Sequence, residues 1–143
     1  MQIQPYLFFH GRCEEAMGYY RKALDARVSM LMRYRESPDP MPPDAIPPGW
    51  EDKIMHAELA IGDAVLMLSD GCAETDPGFR GFSLSLAVPD AETADRMFAA
   101  LLDGGEELMP LGETFFSPRF GMVSDRYGVS WMINLPAKDD HSN

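Results

Sequence analysis

The pattern of hydrophobic and polar positions predicts two amphipathic helices. In "GRCEEAMGYYRKALDA" the apolar residues recur at steps of three and four, as they do on one face of an α-helix. The segment "DAETADRMFAALLDGG" has the same spacing. Asp90 is placed to cap its first turn, and Gly104-Gly105 is placed to end it. Each helix therefore has one apolar stripe to bury.

The segments around these helices predict strands, because they are apolar runs or alternations bounded by turn residues. In chain order they are "MQIQPYLFFH", "RVSMLMRY", "KIMHAELAIG", "AVLMLSD", "FSLSLAVPD", "EELMPL", "FGMVSD" and "VSWMINL". A tight turn at Gly62-Asp63 joins the third and fourth. The proline-rich "ESPDPMPPDAIPPGWED" cannot join a ladder, so we expect an extended, mobile excursion. The polar tail "PAKDDHSN" is expected to fray.

The two halves of the chain repeat one another. Each reads as a strand, a helix and three more strands. Four residues of the first helix recur at the same relative positions in the second: Ala16, Tyr20, Leu24 and Asp25 become Ala94, Phe98, Leu102 and Asp103. We therefore predict a single α+β domain of two tandem βαβββ modules, about 1–72 and about 80–136. They form an open curved mixed sheet with the helices outside, and its concave face suits a ligand.

Composition and charge narrow the class of partner. The 143 residues carry a formal net charge of -11, with 23 acidic residues against 12 basic ones. Such a surface repels phosphate backbones and anionic lipids, so we expect no nucleic acid and no membrane as partner. No run approaches the roughly 20 apolar residues of a membrane span, and no basic region precedes the apolar start. A cytoplasmic location is the resulting expectation.

Cysteine and aspartate positions predict structural roles. Cys13 and Cys72 lack CxxC spacing, which argues against a disulfide framework or a thiol-rich metal site. Cys13 lies near a helix start, where the helix dipole favours a thiolate, but the acidic residues beside it oppose one. We expect no reactive Cys13. Asp70 and Asp125 fall at predicted turns, where an aspartate bonds to its own backbone.

Four ordered segments resemble one known family. They are "PYLFFHGRCEEAMGYYRKALDA", "HAELAIGDAVLMLSD", "GFSLSLAV" and "TFFSPRFGMVSDRYGVSWMIN". With the duplicated βαβββ unit, they resemble the PhnB-like branch of the vicinal oxygen chelate superfamily, which includes glyoxalases, extradiol dioxygenases and bleomycin-resistance proteins. Members of this branch are commonly labelled demethylubiquinone methyltransferases. No Gly-rich loop follows a buried parallel strand here, as a nucleotide-like cofactor would require, so the residues do not support that label.

The resemblance implies a divalent metal held by the first and last strands of each module. At the matching places this chain has Pro5, Met67, Ser83 and Met132, with Gln4 as the nearest polar alternative. A thioether and a lone hydroxyl are poor ligands for Zn, Fe, Mn or Ni. We therefore expect a degenerate metal site and predict no cofactor.

The catalytic candidates are His56 and Glu58, which share one face of a predicted strand because one residue separates them. They suit an acid-base pair in the concavity or a displaced metal half-site. The alternative is a solvent-facing strand edge with no chemical role. His10, at a turn, and His141, in the tail, are weaker candidates.

The ligand-binding candidates are three aromatic residues and one cation: Tyr6, Phe116, Trp131 and Arg119. The aromatic rings offer cavity wall, although most aromatic residues pack in a core. Arg119 suits an anionic ligand, and on this acidic protein a salt bridge is the competing use.

Three functional classes follow. The leading hypothesis is a glyoxalase-like protein that binds a small apolar or aromatic molecule without the usual metal. The second is a metal-dependent lyase, isomerase or dioxygenase of the same superfamily, using His56 and Glu58. The third is a structural or interaction homodimer with a filled cavity. A homodimer is expected in each case, because apolar sheet edges need covering.

Overall fold

The computed structural model describes residues 1–39, 41–42 and 44–138. The chain divides into two compact units, residues 1–78 and residues 79–143. Each unit contains one βαβββ module, so the predicted tandem α+β arrangement is confirmed. The predicted modules, 1–72 and 80–136, each fall inside one unit, whereas their union into a single domain stays a prediction. The end of the polar tail lies outside the described residues.

The first unit has one helix and a four-stranded mixed sheet. Its elements are β1 (Tyr6–Phe8), α1 (Cys13–Ala23), β2 (Arg27–Arg33), β3 (Ile54–Ile61) and β4 (Ala64–Ser69), with a 3-10 turn at Tyr34–Glu36. The strand order is β1-β4-β3-β2. β1 runs parallel to β4 and the other pairs are antiparallel.

The second unit repeats this arrangement. Its elements are β5 (Leu84–Ala87), α2 (Ala91–Leu102), β6 (Glu106–Gly112), β7 (Arg119–Ser124) and β8 (Ser130–Leu135). The strand order is β5-β8-β7-β6, with β5 parallel to β8. In the part of the chain that the structure describes, no helix is long and apolar enough to cross a membrane.

The first strand is shorter than the sequence predicts. β1 has 3 residues, whereas the apolar run suggested a strand over the first ten. The chain turns directly after it, because His10 has φ 50° and Gly11 has φ 93°, and these left-handed conformations end a strand. The Gly62-Asp63 turn forms as predicted between β3 and β4, with Gly62 at φ 57°.

Each helix covers one face of its own sheet. In the first unit the covered side chains are at most 3% exposed: Leu7, Phe9, Ala57, Leu59, Leu66 and Leu68. The ring of Phe9 lies 6.2 Å from that of Tyr20 on α1. In the second unit, a Cβ on Gly121 would lie 2.8 Å from the Phe98 ring of α2. Helix and strand approach closely there because position 121 has no side chain.

The two helices begin with different caps. Asp90 caps α2 as predicted, since its Oδ1 accepts a hydrogen bond from the Thr93 backbone N–H at 2.7 Å. The N-terminus of α1 has no local side-chain cap. Asp70 instead supplies the acceptor from the end of β4, at 2.7 Å from the nitrogen of Gly11 and 2.8 Å from that of Cys13.

The sequence predicts that Asp70 caps its own turn, but its side chain bonds to distant segments instead. Its second oxygen accepts a hydrogen bond from the Ile54 N–H at 2.8 Å, at the start of β3. The carboxylate is 2% exposed and joins three separate segments. Asp125 fits the prediction better, because its Oδ1 accepts from Tyr127 and Val129 in its own turn.

Candidate functional site

The first sheet has a face that α1 does not cover. The register places Tyr6, Met67, Glu58 and Met30 side by side across the four strands. Phe8, His56 and Met32 lie on the same face, because each is two residues along its strand from one of these. We call these seven residues the helix-free face. It combines aromatic and thioether surface with a small number of polar groups, the composition expected of a small-molecule site.

Three side chains of the helix-free face form a continuous hydrogen-bonded chain. The hydroxyl oxygen of Tyr6 lies 2.8 Å from Nδ1 of His56. On the other side of the ring, Nε2 of His56 lies 2.9 Å from Oε2 of Glu58. The residues come from β1 and β3, with β4 between them in the sheet. We refer to them as the Tyr-His-Glu chain.

The partners assign the direction of each hydrogen bond. An ionised carboxylate only accepts, so Glu58 places the proton of a singly protonated His56 ring on Nε2. Nδ1 is then an acceptor, and Tyr6 donates its hydroxyl proton to it. Burial raises the pKa of Tyr6, a side-chain hydrogen bond with Ser69 lowers it by less, and the charges of Cys13 and Glu58 raise it further, so Tyr6 keeps that proton at neutral pH. Beside the Ser69 contact, the Tyr6 oxygen still has a lone pair to accept a hydrogen bond from a ligand.

The pairing of His56 with Glu58 agrees with their shared strand face, as the sequence predicts. β3 is not an edge strand, because it lies between β4 and β2, while a chemical role for the pair stays a prediction. Their side chains are 24% and 36% exposed. Tyr6 was predicted to bind ligand. Its hydrogen bond to His56 could not be predicted from the sequence, because 50 residues separate the two.

The second module carries different side chains at the equivalent places. Tyr6 pairs with Met67 as Ser85 pairs with Met132, and Glu58 pairs with Met67 as Met122 pairs with Met132. Position 120, two residues before Met122, corresponds to His56 and holds a phenylalanine. The counterparts of Tyr6, His56 and Glu58 are therefore Ser85, Phe120 and Met122. The duplicated backbone holds this polar chain in its first copy.

The donors at the expected metal positions do not fit a divalent ion. Pro5 and Met67 are neighbours, with the Pro5 carbonyl accepting the Met67 N–H at 3.0 Å. The hydroxyl of Ser83 lies 2.6 Å from that of Ser130, and Met132 is a thioether. Among the described residues, no group of three or more His, Cys, Asp and Glu side chains is arranged to hold a metal. These donors do not make the expected ligand set.

Trp131 does not lie where the sequence suggested. It is 3% exposed, and its indole N–H donates to Oδ2 of buried Asp125 at 2.9 Å. Its strand neighbour Met132 pairs with Ser85 on the opposite face. Successive residues of a strand point to opposite faces, so Trp131 belongs to the core and is not part of the proposed site.

The other two ligand-binding candidates lie at the surface of the second unit. Phe116 is 48% exposed, and its ring centroid lies 5.0 Å from that of Phe120. Arg119 makes a two-pronged ion pair with Asp95, at 2.7 and 3.1 Å. The salt bridge was the competing interpretation of Arg119, and it occupies the guanidinium.

The remaining histidines and cysteines are not part of the Tyr-His-Glu chain. The ring of His10 lies 5.3 Å from that of Trp50, and His141 lies outside the described residues. Cys72 is exposed and Cys13 is buried. Burial and the Asp70 carboxylate raise the pKa of the Cys13 thiol far above its usual range. Its thiolate is therefore suppressed, which agrees with the expected lack of reactivity.

Comparison with known families agrees with the fold and the sequence motifs. Residues 1–134 match the family described as 3-demethylubiquinone-9 3-methyltransferase. This chain belongs to that family. A crystal structure of protein PA1353 from Pseudomonas aeruginosa is 41% identical with a TM-score of 0.83, covering 96% of this chain and 99% of the other.

Other solved structures share the sequence or the fold of this chain. A PhnB protein from Bacillus cereus is 32% identical with a TM-score of 0.78, covering 94% of this chain and 99% of its own. A glyoxalase/bleomycin resistance protein/dioxygenase domain from Frankia shares the fold at 18% identity and a TM-score of 0.62, over 96% of this chain and 98% of that chain. The predicted resemblance to the PhnB-like branch is confirmed, and the fold is the one seen in the Frankia domain.

Proposed function

We propose that this protein binds a small aromatic or apolar molecule on the helix-free face, without a divalent metal. The observation that carries the proposal is the Tyr-His-Glu chain, which sets a polar anchor within apolar surface. Tyr6 and Phe8 stack with centroids 5.1 Å apart and an angle of 27° between the rings. Met67 lies beside Tyr6 on β4, and Met30 and Met32 lie beside Glu58 and His56 on β2. These flexible side chains adapt to a ligand's shape.

The aromatic part of the site is tested by removing the Phe8 ring. Phe8 is 45% exposed, so Phe8→Ala deletes accessible ring surface and takes little from the core. We expect about tenfold weaker binding of small aromatic probes, measured by ligand-observed NMR. Phe82→Ala is the matched control, because Phe82 is 43% exposed and precedes β5. Equal effects of the two substitutions would contradict the proposed face.

The absence of a metal requirement is tested on the same sample. Native mass spectrometry identifies what co-purifies, and elemental analysis measures bound metal. We expect an organic ligand and less than stoichiometric metal, with probe binding unchanged after treatment with a chelator. A stoichiometric divalent metal that is lost in His56→Ala would favour the metalloenzyme instead.

The predicted homodimer stays part of this proposal. Both sheets end in an exposed strand, β2 in the first and β6 in the second. Four large apolar residues of these strands are 38 to 49% exposed: Val28, Leu31, Leu108 and Met109. Apolar edge strands are usually covered in solution. Light scattering coupled to size-exclusion chromatography should give twice the 16.0 kDa chain mass. The mass of a single chain would contradict the proposed homodimer.

A further inference from the structure

The Tyr-His-Glu chain determines which hydrogen-bonding group a ligand must carry. Because Glu58 holds the ring proton of His56 on Nε2, the Tyr6 hydroxyl proton points at Nδ1. The Tyr6 oxygen therefore offers lone pairs, and no proton, to a molecule on the helix-free face. A ligand that satisfies it must donate an O–H or N–H. The stacked rings of Tyr6 and Phe8 favour a flat aromatic body beside that donor.

We propose that the helix-free face takes an aromatic molecule bearing an acidic hydroxyl, and that the Tyr-His-Glu chain accepts the proton of that hydroxyl. This inference rests on the proposed function and names its ligand class, a phenol. Two features are required together: an acceptor oxygen at the edge of an aromatic surface, and a basic nitrogen behind that oxygen. Tyr6 provides the first and His56 the second.

The proton transfer balances without an added reagent. The phenol O–H bond breaks and its proton bonds to the Tyr6 oxygen, while the original Tyr6 O–H bond breaks and that proton bonds to Nδ1 of His56. The products are a phenolate and an imidazolium, so the net charge is unchanged. Oε2 of Glu58, 2.9 Å from Nε2, then faces a positive ring. A charge-assisted hydrogen bond of this kind favours the imidazolium.

Other polar groups of the first unit do not take over the roles of Tyr6, His56 and Glu58. From β2, Arg27 shares the face, since it pairs with Ala60 in the same parity as Glu58, but β3 and β4 separate its strand from that of Tyr6. Tyr34, in the turn after β2, donates its hydroxyl to the Gly71 carbonyl. The β4 residue aligned with Tyr6 and Glu58 is apolar Met67. Glu58 is therefore the carboxylate that stabilises the imidazolium.

Coloured phenols allow binding and proton transfer to be measured separately. We would titrate the protein with 4-nitrophenol at a pH at which the free compound is mostly neutral. Calorimetry reports binding, and the absorbance band of the nitrophenolate reports ionisation. We expect the bound compound to be largely ionised. The methyl ether 4-nitroanisole, which has the same ring but no donor, should bind about tenfold more weakly.

Two substitutions test the Tyr-His-Glu chain. Tyr6→Phe removes the acceptor oxygen and keeps the ring, so 4-nitrophenol should bind about tenfold more weakly and remain neutral. Glu58→Gln keeps a neutral acceptor for Nε2–H but removes the negative charge. The ionisation midpoint of the bound phenol should then rise by about one pH unit. Circular dichroism verifies that each variant is folded.

Matched controls on α1, on the other side of the sheet, use the same chemical changes. Tyr19→Phe removes a tyrosine hydroxyl and Glu15→Gln neutralises an exposed carboxylate, and both should leave binding and ionisation as in the parent. A 4-nitrophenol that binds but stays neutral overturns the proton transfer and leaves the proposed function standing. Equal binding of the methyl ether overturns the phenol class. Failure of every aromatic probe to bind overturns both.

Discussion

Oδ1 of Asp70 lies 2.8 Å from the backbone nitrogen of Cys13, although 57 residues separate them in the chain. The same carboxylate also accepts the N–H groups of Gly11 and Ile54. Asp70→Ala leaves these three donors, two of them buried, without their acceptor. We expect the free energy of unfolding to fall by about 3 kcal/mol, measured by urea denaturation.

Asp70→Asn separates the role of shape from that of charge. The amide keeps one oxygen for the start of α1 but presents N–H groups to Ile54. The free energy of unfolding should therefore fall, but by less than in Asp70→Ala. Asp90→Ala, which removes a single exposed cap bond, should cost less than Asp70→Ala. A larger effect at Asp90 would contradict the bridging role of Asp70.

The first turn of α1 is tied to β2 by an ion pair that acid should break. Arg33 donates to both oxygens of Glu14, at 3.0 and 2.8 Å, and this pairing lowers the pKa of Glu14. A carboxyl whose pKa is lower in the folded state stabilises the fold above its unfolded-state pKa. That contribution disappears as the pH falls through the folded-state value.

Glu14→Gln should therefore be less stable than the parent at neutral pH, and the difference should vanish as the pH falls from about 6 to about 3. Urea unfolding at a series of pH values measures it. Glu15→Gln is the control, because Glu15 is the next residue on the same exposed turn. A difference that persists unchanged at the lowest pH would rule out the ion pair as its cause.

The two thiols should differ sharply in reactivity. Cys72 is exposed, whereas Cys13 is buried and the pKa of its thiol is raised by burial and by Asp70. A thiol-specific chromogenic reagent at mildly alkaline pH should label one thiol per folded chain and two in denaturant. Cys72→Ser should abolish the fast labelling. Rapid labelling of that variant while folded would mean that Cys13 is accessible.

The close contact between α2 and β7 depends on the missing side chain at Gly121. An added Cβ would lie 2.8 Å from the Phe98 ring and 2.9 Å from Cα of Leu111. We expect Gly121→Ala to lower the free energy of unfolding by about 2 kcal/mol, because both neighbours must move. Gly112→Ala serves as the comparison, since nothing lies within 4 Å of its added Cβ. Equal costs would show that backbone preference, not crowding, explains the effect.

Features set by neighbouring residues could be predicted from the sequence. Asp90 caps the helix that begins one residue later, and His56 and Glu58 share a face because strand side chains alternate. The cap on α1 could not be found in this way. Its acceptor, Asp70, reaches α1 because β4 ends beside it, and that placement depends on strand pairing across the sheet.

Only one of the two hydrogen bonds of the Tyr-His-Glu chain could be predicted from neighbouring residues. The spacing of His56 and Glu58 predicted one of its hydrogen bonds, whereas the bond from Tyr6 depends on the order β1-β4-β3. Strand alternation also determines the position of Trp131. Met132 occupies the place expected to face the concavity, so Trp131, its neighbour, had to face the core.

The two sheets carry different side chains at equivalent positions. The three polar groups of the first module can therefore be introduced into the second by substitution. A triple variant would place Tyr, His and Glu side chains at the corresponding positions of the second module. Its substitutions are Ser85→Tyr, Phe120→His and Met122→Glu. If the parent ionises one equivalent of nitrophenol, as proposed above, the altered protein should ionise two. The internal symmetry of the backbone thus provides a route to doubling the capacity of the protein without any foreign scaffold.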